Sequence, residues 1–256
     1  MPVEATLSAG ALFGFLLVLA RVSGAFVFVP LPGMSAAAAP PRIALALGCT
    51  LALRSYWPVM NTAPTAVQLA LWAAAESAVG IVIGLSVAVV LEAFVLAAQI
   101  LGLQAGYGYA STVDPNTQAD AGILLVLAQL VAGLLFFAMG LDRDVLRLFA
   151  RSLEKIPAGA YSPGAASAQT VIGLGAALFS VGARIALPVI ALLLLIDVAL
   201  ALLGRLNAQL HLISLAFPAK MLAALLVLSW IAPLLPRILR AFHLEAWSAV
   251  SRVLGL

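Results

Sequence analysis

Residues 66–103 read AVQLALWAAAESAVGIVIGLSVAVVLEAFVLAAQILGL. As one helix this stretch reaches well over 50 Å at 1.5 Å per residue, against a hydrocarbon core of about 30 Å. A helix of that length and character either folds back as a hairpin or rises out of a bilayer inside a protein assembly. Both alternatives point to an all-α fold of long apolar helices.

The rest of the chain agrees. Of 256 residues, 64% are hydrophobic and 9% are charged. Ordinary soluble domains are about 45–50% apolar and about 25% charged. The mean hydropathy of +1.17 excludes disorder and an ordinary cytosolic enzyme, because too few polar residues remain to coat a globule. The net charge of +3 is no nucleic-acid footprint. A lone Cys49 and two histidines, His211 and His243, supply neither a disulfide framework nor a metal site.

Hydropathy predicts roughly six apolar helical segments in a single membrane-embedded domain, 1–256. Leu7–Val29 is span-length and carries only Arg21. The piece between Arg42 and Arg54 is too short to span and reads as buried or re-entrant. Gly122–Leu141, Thr170–Leu203 and Leu215–Ile231 follow the long stretch, and a basic tail with Arg237, Arg240 and Arg252 ends the chain. The amino terminus lacks the positive region of a cleavable signal. Basic residues occur in several loops, with a mild bias placing the Arg143 loop and the tail on the cytoplasmic side.

Four groups of residues carry physical information. Glu76, Gly80, Gly84, Ala88 and Glu92 are spaced four apart and form one slowly winding ridge, with Gly80 and Gly84 in a GxxxG motif that lets helix backbones approach closely. The carboxylates, about 24 Å apart at helical rise, form no acid–base pair; the row reads as helix packing, with Glu76 and Glu92 near interfaces. Arg184 and Asp197, roughly 20 Å apart on one helix, each require another segment, another subunit or water, or must snorkel. Arg143, Arg147, Arg151 and Lys155 form a basic stripe on an amphipathic helix, read as a solvated face at a lipid surface or a helix tucked against a partner.

The fourth group, Gly106, Tyr107, Gly108, Tyr109, Ala110, Ser111, Thr112, Val113, Asp114, Pro115 and Asn116, interrupts two apolar stretches. It is either an ordinary loop or irregular backbone lining a cavity at membrane depth. Further on, Pro218 in Phe217-Pro218-Ala219-Lys220 predicts a helix break or start, with Lys220 near a polar boundary. The chain contains no Walker loop, G-x-S-x-G or H-E-x-x-H motif, so no enzymatic activity and no cofactor is expected. A small secondary transporter is the alternative from another class, but two similar halves with paired broken segments are not visible.

In order and spacing, four blocks resemble the FliR family of flagellar type III export apparatus proteins. They are Arg21 with Pro30, Gly33 and Pro41-Arg42; Glu76 with Gly80 and Gly84, leading to Gly102, Gln104, Gly106 and Asp114-Pro115; Phe136-Phe137 with Gly140, Ser152 and Pro157-Ala158-Gly159; and Gln209-Leu210 with Phe217-Pro218-Ala219-Lys220. The family's usual Pro-Gln-Leu-Asn reads Ala208-Gln209-Leu210-His211 here, and its Gly-His pair reads Gly140-Leu141. The resemblance implies a pore-forming export-gate subunit of the bacterial inner membrane and flagellar basal body. Such a subunit joins FliP and FliQ, with an FlhB-type subunit, to pass unfolded flagellar proteins. The resemblance also implies that Gly106–Asn116 is a central plug, and that the subunits assemble as helical hairpins partly lifted out of the bilayer. The counterpart in virulence injectisomes is similar.

Overall fold

The computed structural model describes residues 9–29, 39–58, 64–107, 123–161, 164–206 and 212–255. Among them all regular structure is helical: α1 (Ala9–Phe28), α2 (Ala39–Ala52), α3 (Ala66–Ala105), α4 (Ile123–Ala138), α5 (Leu141–Lys155), α6 (Ala165–Leu206), α7 (Leu212–Ile231) and α8 (Leu235–Leu254). Short 3-10 turns lie at Arg54–Tyr56 and Ala232–Leu234.

Of the two alternatives for the opening stretch, the continuous helix is the one observed. Both ends of α3 have identifiable signals. At its start the Gln68 backbone N–H donates to Thr65 Oγ1 (3.3 Å) while the Thr65 N–H donates to Gln68 Oε1 (3.0 Å). This reciprocal box satisfies two amides that the helix itself leaves free. At its end Gly106 takes φ 84°. The Tyr107 N–H reaches back to Gly102 O (3.0 Å) and the Gly106 N–H to Leu103 O (3.2 Å), a Schellman termination that favours glycine in the left-handed region. Between these signals run 40 helical residues, about 60 Å at helical rise.

Elsewhere the boundaries move. The Arg42–Arg54 piece is the 14-residue α2, too short to cross a bilayer. Gly140, at φ 72°, divides the span read as 122–141 from the amphipathic α5. The break expected at Phe217-Pro218 does not occur: α7 begins at Leu212 and Pro218 lies inside it, as Pro188 lies inside α6. Proline removes one helical hydrogen bond, and local adjustment of the turn lets a long helix continue through it; both prolines are exposed. The basic tail forms a full helix, α8. Among the described residues four helical runs are long and apolar enough to cross a membrane, α1, α3, α6 and α7 continuing into α8; a fifth arises if α4 and α5 are taken as one bent span.

The chain packs as two compact units. The first comprises residues 1–89, 136–175 and 243–256, the second 90–135 and 176–242. Leu17, Val18, Val22, Ile83, Val87, Leu148 and Phe149 are buried in the first, and Leu91, Leu101, Leu193 and Leu239 in the second. Burial is uneven between helices. Inside the protein lies 72% of the most apolar window of α3, against 22% for α6 and 17% for the α7–α8 run. Leu195, Leu202, Leu222, Leu226 and Trp230 face outward, which requires lipid or other protein around them.

Candidate functional site

In the first unit, α1 and α3 meet at backbone distance. A Cβ added to Gly80 would strike the Arg21 carbonyl and lie 3.0 Å from the Ala25 nitrogen; one at Gly84 would lie 2.9 Å from the Ala25 Cα; one at Gly24 would lie 2.5 Å from the Ser77 oxygen. Small residues on both helices therefore set the approach. Ala88 is also buried.

That close contact surrounds an ion pair. Arg21 and Glu76 are both completely buried, and the Arg21 Nε donates directly to Glu76 Oε2. The rest of the guanidinium is used as well: Nη1 donates to Ser152 Oγ (3.1 Å) and Nη2 to the Ile156 carbonyl (3.0 Å). The other carboxylate oxygen, Oε1, accepts from the Gly159 N–H at 2.9 Å. Gly159 itself has φ 94°, so the turn after α5 is shaped to present that amide. Glu76 thus lies inside the protein, between α1, α3 and the turn after α5. A buried pair is tolerable only when its polar atoms find partners, and here each guanidinium nitrogen and both carboxylate oxygens have one. Arg21 stood out in the sequence as the one charge of the first span, whereas Ser152 and Gly159 entered only through the resemblance. A lone arginine in one apolar span and two glutamates in the next long one are the signal that an ion pair joins the two helices; which glutamate is used depends on how α1 packs on α3.

The basic stripe lies on the outer face of α5: Arg143, Arg147, Arg151 and Lys155 are exposed, whereas Val145, Leu148, Phe149, Ser152 and Leu153 are buried. Phe149 stacks on Phe26 with ring centroids 6.5 Å apart. Asp144 holds Arg147 at 3.1 Å and His243 Nε2 at 3.0 Å, tying α5 to α8. The Tyr56 hydroxyl donates to Glu154 (3.1 Å), and that carboxylate raises the phenol above its ordinary pKa.

In the second unit, three groups read separately from sequence come together. The Lys220 Nζ lies 3.0 Å from both oxygens of Asp197, joining α6 and α7. The partners are unequal, Lys220 12% exposed and Asp197 40%. One position away, the Tyr107 hydroxyl donates to the Met221 carbonyl at 3.1 Å. Gly106 lies against the Phe217 ring, where a Cβ would be 2.5 Å from Cδ1. The entry to the Gly106–Asn116 segment is therefore seated on the Phe217–Met221 stretch of α7; residues 108–116 lie outside the described residues. Arg184 and Glu92 are exposed, as is Pro218. Among the described residues no three His, Cys, Asp or Glu side chains cluster to hold a metal.

The family model of bacterial export proteins, family 1, matches residues 12–245. The flagellar biosynthetic protein FliR of Escherichia coli (strain K12) is 28% identical over 207 residues, covering 80% of this chain and 79% of the relative. FliR of Pectobacterium carotovorum subsp. carotovorum is 27% identical over 243 residues, covering 94% and 90%. FliR of Bacillus subtilis (strain 168) is 25% identical over 217 residues, 84% of each chain.

Proposed function

The chain belongs to the bacterial export proteins, family 1, and from that premise we propose that it is a membrane-embedded subunit of a flagellar type III protein export apparatus. The observation that carries the reading is the extent of the family match, which runs over nearly the whole chain and reaches into all four span-forming helical runs. In this reading the protein is a transport component of the inner membrane and catalyses no reaction. It assembles with FliP-type and FliQ-type subunits, and with an FlhB-type subunit, as part of the pore for unfolded flagellar proteins. The apolar faces of α6 and α7, so little buried within the chain, support a neighbourhood of other subunits.

The segment from Gly106 to Asn116 is proposed as the plug of that pore. An idle export pore must hold back ions and still admit an unfolded chain. Glycines at 106 and 108 give the sequence backbone freedom, and Tyr107, Tyr109 and Val113 supply bulk. The seat of Gly106 and Tyr107 on α7 supports a role in holding the start of this segment.

Two measurements test the proposal. Produced alone in mild detergent, the chain is expected to aggregate or be degraded; produced with FliP-type and FliQ-type subunits, it should purify as one complex. A monodisperse solitary monomer counts against the assembly. Deleting Tyr107–Val113 in an assembled complex should make the inner membrane leak small solutes, and Tyr109→Ala should leak less. A deletion variant as tight as wild type makes the segment an ordinary loop.

A further inference from the structure

From Val79 to Leu101, α3 exposes only two residues, Glu92 and Gln99; every other position is buried or intermediate. On the most buried long helix of the chain, the exposed positions in this stretch are thus a carboxylate and an amide. They are seven residues apart, on one face and about 10 Å apart along the axis. Leu103, four residues further on the same face, is also exposed. Among the described residues neither Glu92 nor Gln99 has a side-chain partner, although the same unit contains Lys220, which Asp197 occupies.

We infer that the Glu92–Gln99–Leu103 face of α3 is a docking surface for a helix of a neighbouring export-gate subunit that brings an arginine or lysine to Glu92. The inference rests on the assembly proposed above. Lipid is a poor occupant: a carboxylate at the bilayer centre costs about 2.5–3.5 kcal/mol even on the lenient insertion scale, and a glutamate is too short to snorkel far. Water alone is a poor occupant too, because the same face continues into a large exposed leucine. A protein helix suits all three positions. Its cation neutralises Glu92, a polar group meets the Gln99 amide, and an apolar side chain covers Leu103. Residues one heptad apart on one line match a partner crossing at about 20°.

The test places a photo-crosslinking amino acid at 92, 99 or 103, one position at a time, in cells making the whole apparatus. Crosslinks from all three positions to a single subunit, mapped to a segment containing Arg or Lys, are expected. Separately, Glu92→Arg should lower the partner recovered with the chain by at least about tenfold, the size of effect expected when one member of a buried charge pair is lost. Glu92→Asp should retain most of the recovery, and acidic replacement of the mapped basic residue should restore Glu92→Arg. Crosslinks to lipid alone, no crosslinks, or a Glu92→Leu variant that assembles as wild type would overturn the inference. Those results with the wild-type complex intact refute this surface only. A wild-type chain that recovers no export-gate subunit refutes the assembly itself.

Discussion

Among the described residues each unit contains one ion pair between long apolar helices, and the two pairs are built differently. Arg21–Glu76 is fully buried, and Ser152, the Ile156 carbonyl and the Gly159 amide complete its hydrogen bonding. Asp197–Lys220 leaves its carboxylate 40% exposed and has no such shell among the described residues. The contrast separates two uses of charge in an apolar chain. The first pair fixes how α1, α3 and the turn after α5 fit together, so its loss is a folding defect. The second neutralises charge on a surface still open to water or a neighbour, so its loss is a functional defect with the chain still folded.

The largest expected effect comes from breaking the first pair on one side. Glu76→Leu strands a buried guanidinium, at a cost of about 3–5 kcal/mol, against total stabilities of about 5–15 kcal/mol. The variant should be scarcely detectable in membranes and readily proteolysed. Removing both charges, Arg21→Leu with Glu76→Leu, should recover part of the lost protein, because no unpaired charge remains. Normal accumulation of Glu76→Leu in membranes would erase the distinction between the two pairs.

Lys220→Leu should do less to the fold and more to the activity. Asp197 can be resolvated on its open side, so the chain should accumulate near the wild-type level while secretion of flagellar subunits drops. The exchanged pair, Asp197→Lys with Lys220→Asp, should restore part of the secretion. Unchanged secretion by Lys220→Leu would make the lysine a snorkelling side chain and leave the contrast without a functional side.

The smallest effect is expected on the basic stripe of α5, whose four side chains are exposed. Each basic residue at an anionic surface contributes about 1 kcal/mol, so Arg143→Glu with Arg147→Glu should weaken recovery of the assembled complex several-fold. Arg→Lys changes at the same positions should pass unnoticed, since a diffuse field does not use the guanidinium fork. Wild-type assembly of the double glutamate variant would mean a merely solvated face.

Much of this contrast was within reach of the sequence, though not its details. Hydropathy locates α1, α3, α6 and α7 because length and apolarity are local properties. The Gly80–Gly84 spacing locates a close helix contact for the same reason. Partner identity is not local: Glu76 is 55 residues from Arg21 and is reached only through the packing of α1 on α3. Lys220 and Asp197 were each singled out, but their pairing depends on how α6 meets α7. Pro218 misleads because proline is read as a helix breaker, whereas a long helix runs through one where local adjustment re-satisfies the freed carbonyl. The tail became α8 because its apolar residues recur at helical spacing, a pattern that its three arginines obscure.

Secretion itself tests the central claim most directly. Flagellar subunit protein in the culture medium should be measured in a strain lacking this chain, with and without the wild-type chain supplied in trans. The account predicts that secretion disappears on deletion and returns when the chain is restored. Undiminished secretion of flagellar subunits in the deletion strain would contradict it.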